Sequence, residues 1–460
     1  MSDHIPTFTA RELAEATGGR WLDGREPAVV SGVFTDTRQD GGGRLFLALS
    51  GETFDAHDFL PAAIAAGAAA LCAAESKQSK LPSPSPVPVL LVDDPLRAYQ
   101  KIARFHRNRF PGLTVAGITG SVGKTSVKEM LRAIFTAAAG EEHVLFTVGN
   151  TNNQVGVPRN LLGLGPEHRY AVIEMGTNHH GEIEPLSLCA QPRIALVNSI
   201  APCHLEFLGS LAGVAREKGR IFAGLPADGT AVIPKACPEV EILAAAAAPR
   251  RVLRFGEGDG CDVAAHYLGG RLEGSSFELV FRSGESFRID WTLTGRHQAV
   301  NAAAAAAAAL AAGIAPETIA EGLRNTRLPG MRSKITRLAN GVTFLNDAYN
   351  ANPGSMRAAF EHLAEFADPG KLVLLLGEMR ELGEESEPAH REILALAETM
   401  FPGARIVTIG PGFARAGGKE HYADAASARH VAAGAVPDTL VFAKGSRGIA
   451  VEEALPEEAR

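Results

Sequence analysis

The chain has 460 residues, 46% hydrophobic and 21% charged, a composition that excludes general disorder in a length that predicts several domains. Its formal net charge of −7 leaves no electrostatic footprint for nucleic acid or an anionic membrane. Five scattered cysteines without a Cys-x-x-Cys pair argue against a disulfide framework or zinc site, and no basic region followed by an apolar run opens the chain; a cytoplasmic protein without a leader is expected.

Residues 9–17 predict a small capped helix, 32–35 and 45–49 strands, 62–74 an alanine-rich helix and 87–92 a strand. The polar, proline-rich stretch 76–86 predicts an exposed loop. From about 111 to 328 apolar runs alternate with helical patterns. Strands at 113–119, 144–148, 170–175 and 194–199, with helices from 124, near 155–164 and at 211–224, predict a mostly parallel sheet covered on both faces. Alternation at 276–281 and 286–293 predicts an antiparallel hairpin. The alanine run 302–312 is too short for a bilayer and predicts a closely packed interior helix. After Leu328-Pro-Gly, strands at 334–338, 342–346, 372–376, 406–409 and 439–442 predict a smaller Rossmann-like domain. The fold class expected is α/β in three domains: a small N-terminal α/β domain (1–110), a central mostly parallel P-loop domain (111–328) and a C-terminal Rossmann-like domain (329–460).

The strongest chemical signal is Gly117-Ile-Thr-Gly120-Ser-Val-Gly123-Lys-Thr-Ser126. It misses the usual P-loop spacing by one residue, because Ile118 stands where the first glycine is expected. The physical requirements are intact. Gly120 and Gly123 let successive N–H groups curl toward an anion, and the following helix offers its positive end. Lys124 supplies a mobile cation for terminal phosphates, Thr125 a hydroxyl for Mg2+, and Ser121 and Ser126 flank them.

Glu174, at the C-terminal end of a buried strand, is placed to serve Mg2+ or to cap a turn. His204, just past the next strand, could meet metal or phosphate, or be structural. Asn150, Asn152 and Asn153 offer donors to an oxygen-rich ligand or simply form a turn. Lys218 reads locally as a solvated helix lysine. Asp347, Tyr349, Asn350 and Asn352 follow a strand end, and Glu378 and Lys444 repeat that arrangement on what reads as one sheet edge.

Together with Thr35-Asp36-Thr-Arg38, the run from Phe46 to Ser50, Gly295-Arg-His297 and Lys444-Gly-Ser-Arg, these motifs resemble the Mur ligase family along the whole chain. The stretch from Asp347 to Met356 is most similar to members that append D-alanyl-D-alanine to UDP-N-acetylmuramoyl-tripeptide. The resemblance implies an ATP-dependent ligase of peptidoglycan precursor synthesis, working through an acyl phosphate, monomeric, with those two partners and no nucleic acid or membrane. It implies two Mg2+ ions: Thr125 and Glu174 would serve one, and His204 with a carbamylated Lys218 the other. It also implies His297, Asn301, Arg332 and Asp347 at the nucleotide. Asn152, Asn153, Tyr349, Asn350, Asn352 and Lys444 would hold the peptide substrates, and Thr35, Asp36, Arg38 and Ser50 the UDP portion. Alternatives are another Mur-type ligase, a folylpolyglutamate synthetase or, from another class, a P-loop kinase.

Overall fold

A computed structural model describes residues 4–51, 53–328, 330 and 333–460. The central element is a nine-stranded sheet in the spatial order Ser286–Trp291, Gly274–Phe281, Val263–Arg271, Arg251–Gly256, Thr230–Pro234, Ile194–Val197, Thr114–Thr119, Tyr170–Glu174, Val144–Phe146. Every pairing from 251–256 to 144–146 is parallel, and the last two strands on the opposite edge pair antiparallel. Three of these strands, Thr230–Pro234, Arg251–Gly256 and Val263–Arg271, add to the expected set, so the hairpin is part of a three-stranded extension.

Successive residues of each strand point to opposite faces, which is why the strands read as unbroken apolar runs. Val115, Ala171, Ile173, Ala195 and Val197 join a core shared with helices Gly156–Leu161, Ile183–Ala190 and Leu211–Gly219. Ala116, Ile118, Val172, Ile194 and Leu196 face the other layer, against Lys124–Ala139, Arg296–Ala311 and Pro316–Arg324. In the alanine helix every residue from Ala302 to Ala309 is fully buried. Its short side chains let it sit close against both the sheet and helix 124–139, as the composition implied. No helix among the described residues is long and apolar enough to cross a membrane.

The N-terminal five-stranded sheet runs Arg20–Trp21, Val89–Val92, Ala70–Ala74, Leu45–Leu47, Val33–Phe34. Thr9 caps helix Ala10–Thr17 in a capping box with Glu12. The expected helix over 62–74 is corrected: a helix covers only Leu60–Ala65, and Ala70–Ala74 is a fully buried strand. Gly67, at φ +93°, ends the helix, and alanine accepts either conformation when a neighbouring strand supplies the hydrogen bonds. Helix Pro95–Asn108 packs on both the first helix and the central helices, so the first two domains share one core.

The C-terminal sheet runs Lys334–Arg337, Thr343–Asn346, Leu440–Lys444, Leu372–Gly377, Arg405–Ile409, Glu420–Tyr422, parallel except at its first pair. Thr343–Asn346 and Leu440–Lys444 are neighbours in register, with Asn346 opposite Ala443. That brings Asp347 and Lys444 side by side at the strand ends.

Candidate active site

Strand Thr114–Thr119 lies where the connections of the central sheet diverge to opposite sides, the position at which open α/β sheets bind ligands. The loop leaving it is fastened to residues 198–201. The Ser121 N–H donates to the Ser199 carbonyl at 2.9 Å, the Ser121 hydroxyl to the Ala201 carbonyl at 2.9 Å, and the Val122 N–H to the Ser199 hydroxyl at 2.9 Å. Gly123 has φ +81°, and a Cβ there would lie 2.4 Å from Asn198 Nδ2 and 2.6 Å from Asn301 Oδ1. Those two atoms form a 2.9 Å hydrogen bond, and Asn301 Nδ2 donates to Gln298 Oε1 at 3.1 Å. A side chain at 123 would break this link between loop and helix.

Helix Lys124–Ala139 begins directly after Gly123 with no side-chain cap. Its first-turn N–H groups therefore stand ready for an anion. The Lys124 ammonium folds back to the Gly120 carbonyl at 2.7 Å. The Thr125 hydroxyl donates to Glu174 Oε2 at 3.1 Å and Asn152 Nδ2 to Glu174 Oε1 at 2.8 Å. Glu174 is only 2% exposed, so these two donors stabilise a carboxylate otherwise costly to bury.

The facing wall belongs to the C-terminal domain. The Lys444 ammonium meets Asp347 Oδ2 at 2.5 Å and the Asn350 carbonyl at 3.2 Å. The Tyr349 hydroxyl crosses to Asn150 Oδ1 of the central domain. Asn352 is a helix cap: its Oδ1 accepts from the Ser355 N–H at 2.9 Å, starting helix Pro353–Leu363. Asn153 Oδ1 likewise accepts from the Val155 and Gly156 amides, in the turn that precedes helix Gly156–Leu161. His297 lines the cleft and is exposed to it, and the protein around the site lowers its pKa from the ordinary imidazole value against the pull of Asp347.

These groups line a cleft of about 440 Å³ whose walls include Gly123, Lys124, Thr125, Ser126, Glu174, His297, Asn301, Asp347 and Lys444. Two further cavities open from it. One of about 410 Å³ shares Lys124, Asn152 and Asn178 with the cleft and extends to Asn153 and Glu182. Another, of about 250 Å³, shares Asn150, Tyr349, Asn350 and Asn352, and is closed by His204, Arg380 and Glu381.

His204 lies in that third cavity, with Nδ1 2.6 Å from Glu381 Oε2. Its imidazole holds the Glu381 carboxyl below its ordinary range. Lys218 departs from the solvated lysine of the local reading. It is 1% exposed, and burial pushes its pKa down to about 8. It has no ion pair among the described residues. Thr35, Asp36, Arg38 and Ser50 lie in the N-terminal domain and do not line these cavities. Arg38 pairs with Asp36 at 2.6 Å and pulls its carboxyl down to about 2, and the Ser50 hydroxyl donates to Asp55 at 2.9 Å. Arg332 lies outside the described residues. Sequence reasoning passed over His362 and Glu381, which carry no local motif and acquire their places only through packing, and gave no role to Asn198 and Arg380, which stand within strand-end motifs it did single out.

Among known proteins, residues 118–309 match the Mur ligase middle domain and residues 331–459 the domain described as Mur ligase, glutamate ligase domain. The UDP-N-acetylmuramoyl-tripeptide–D-alanyl-D-alanine ligase of Escherichia coli (strain K12) is 40% identical over 456 residues, covering 97% of each chain. The enzyme of the same name from Bacillus subtilis (strain 168) is 35% identical, covering 84% of this chain and 81% of its own. The crystal structure of MurF from Acinetobacter baumannii superposes with a TM-score of 0.89 at 33% identity, covering 98% of both chains.

Proposed function

The chain belongs to the Mur ligase family, and from that premise we propose that it joins D-alanyl-D-alanine to UDP-N-acetylmuramoyl-tripeptide, with conversion of ATP to ADP and phosphate, in peptidoglycan precursor synthesis. The observation that carries the reading is the meeting of three cavities around Lys124, Asn152 and the Tyr349–Asn350 loop. A ligase that activates an acid with a nucleotide and transfers it to an amine needs three substrates within bonding reach.

In this reading the tripeptide's terminal carboxylate attacks the γ-phosphorus, ADP leaves, and an acyl phosphate forms. The dipeptide amine then attacks the acyl carbon, the C–O bond to phosphate breaks, and the amide forms with loss of a proton. The uncapped helix start and Lys124 hold the phosphates, offsetting the repulsion between two anions. Asn152 lies between the nucleotide cleft and the second cavity, suited to orient the carboxylate. Tyr349 and Asn350 border the third cavity, where the amine would enter. Residues 1–110, with Thr35, Asp36, Arg38 and Ser50, are assigned to the UDP portion, 111–328 to ATP and 329–460 to the acceptor.

The Thr125 hydroxyl and Glu174 carboxylate are hard oxygen donors on the cleft wall and fit Mg2+. When bound, Mg2+ supplies positive charge to the phosphate oxygens. We extend the reading to a second ion served by His204 and a carbamylated Lys218. The ammonium form cannot ligate. The neutral amine, accessible because burial lowers the pKa to about 8, adds CO2 and releases a proton to give a carbamate anion. Lys218→Ala should lose ligase turnover and regain part of it with a short-chain acid, and full activity without the acid would remove this role.

The whole reading is tested by ADP release with UDP-N-acetylmuramoyl-tripeptide, with and without D-alanyl-D-alanine, and the product's mass. Release that depends on both substrates and a product heavier by one dipeptide unit are expected. Release that single amino acids stimulate equally would contradict the assignment.

A further inference from the structure

His362 sits on helix Pro353–Leu363, 5% exposed, and neither Nδ1 nor Nε2 has a protein hydrogen-bond partner. A neutral imidazole carries one donor and one acceptor, and leaving both unmade inside a protein costs stability, so such a group calls for a reason. Loose packing is not the reason. The ring meets Phe366 edge-on at 4.8 Å, and a Cβ at Gly270 would come within 3.1 Å of His362 Cε1. The neighbouring carboxylate does not serve it either: Glu365 accepts from the Tyr267 hydroxyl at 2.9 Å and the Gly270 N–H at 2.6 Å. Burial pushes the His362 pKa down to about 4, so near neutral pH the ring keeps both a donor and an acceptor.

His362 lines the main cleft, and with His297 and Ala358 it forms the partition to an outer cavity of about 450 Å³. The cleft is also lined by the apolar side chains of Leu345, Ala358 and Phe442. A flat heteroaromatic ring, apolar on its faces and polar at its rim, matches that lining. The phosphates are provided for by Lys124 and the uncapped helix. Resting on the reading of this cleft as the ATP site, we propose that His362 hydrogen-bonds the polar edge of the purine base and is a base-recognition residue.

The test uses the full chain with Mg2+ and titrates ATP and inorganic tripolyphosphate into wild type, His362→Leu and His362→Gln, alongside thermal melts without ligand. Wild-type binding of ATP tests the nucleotide reading by itself, and the variants test His362. His362→Leu should weaken ATP about tenfold, leave tripolyphosphate unchanged and melt no lower than wild type, since an unpaired polar group has been removed. His362→Gln, which keeps a donor and an acceptor, should stay within about threefold of wild type for ATP. Unchanged ATP affinity in His362→Leu would overturn the proposal, as would equal weakening of both ligands or a loss in His362→Gln as large as in His362→Leu.

Discussion

On the central-domain side of the cleft, Gly120 and Gly123 come from one loop, Lys124 and Thr125 from the helix that follows it directly, and Glu174 from the adjacent strand of the same sheet. On the C-terminal side, Asp347 and Lys444 are 97 residues apart in the chain and meet because their strands are neighbours. Tyr349 reaches Asn150 across 199 residues, and His204 meets Glu381 from the other domain. The first wall lies within one domain, whereas the second joins a pair internal to the C-terminal domain, Asp347 with Lys444, to contacts that cross to the central domain, Tyr349 with Asn150 and Glu381 with His204. On the proposed reading the central-domain side holds the phosphates, and the contacts that cross between domains border the cavity for the acceptor amine.

If the walls divide labour in this way, substitutions on each should separate in kinetics. Lys124→Ala should lower ligase turnover by about a thousandfold with the fold retained, read by ADP release. A drop smaller than tenfold would deny the first wall its role. Gly123→Ala should cost about 3 kcal/mol in urea unfolding and weaken ATP, because φ +81° is strained for alanine and its Cβ displaces Asn198 and Asn301. Asp347→Ala should cost about 2 kcal/mol by the same measurement. It leaves Lys444 buried at 5% exposure without its partner, while the one-fifth exposure of the Asp347 side chain keeps the loss below that of a fully buried pair. Tyr349→Phe should raise the KM for D-alanyl-D-alanine about fivefold with ATP affinity unchanged. An equal effect on ATP would blur the two walls into one.

The smallest effect concerns pH. His362 falls from 6.5 to about 4 on folding, so between those values the unfolded chain binds a proton that the folded chain refuses. Wild-type stability should therefore decline as pH falls from 6.5 toward 4, and His362→Leu should decline less across the same window in thermal melts.

How far the sequence could be read follows the same division. The phosphate loop and Glu174 were visible because local spacing dictates a glycine turn, a helix start and a strand end. Ala302–Ala309 was readable as a packed helix because no other use suits an interior run of that length. The similar run at 62–74 was not, since alanine carries no pattern of its own and the strand Ala70–Ala74 is fixed by its partners. Strand Thr230–Pro234 is a short apolar run and Arg251–Gly256 a short run broken by two arginines, and at that length periodicity alone does not separate either from helix. Asn352 and Asn153 spend their Oδ1 atoms on backbone amides at helix starts while lining the cavities, a double use that local sequence does not reveal. Lys218 gave no local sign of burial, because the surfaces that cover it come from other elements. His362 had no motif at all.

The central claim, that ATP activates the peptide acid and not water or the amine, is tested most directly by labelling the tripeptide's terminal carboxylate with 18O and analysing the released phosphate. One 18O per phosphate is expected in every turnover that forms amide, because the carboxylate oxygen bonded to phosphorus leaves with it. Phosphate that takes its fourth oxygen only from water would contradict the claim.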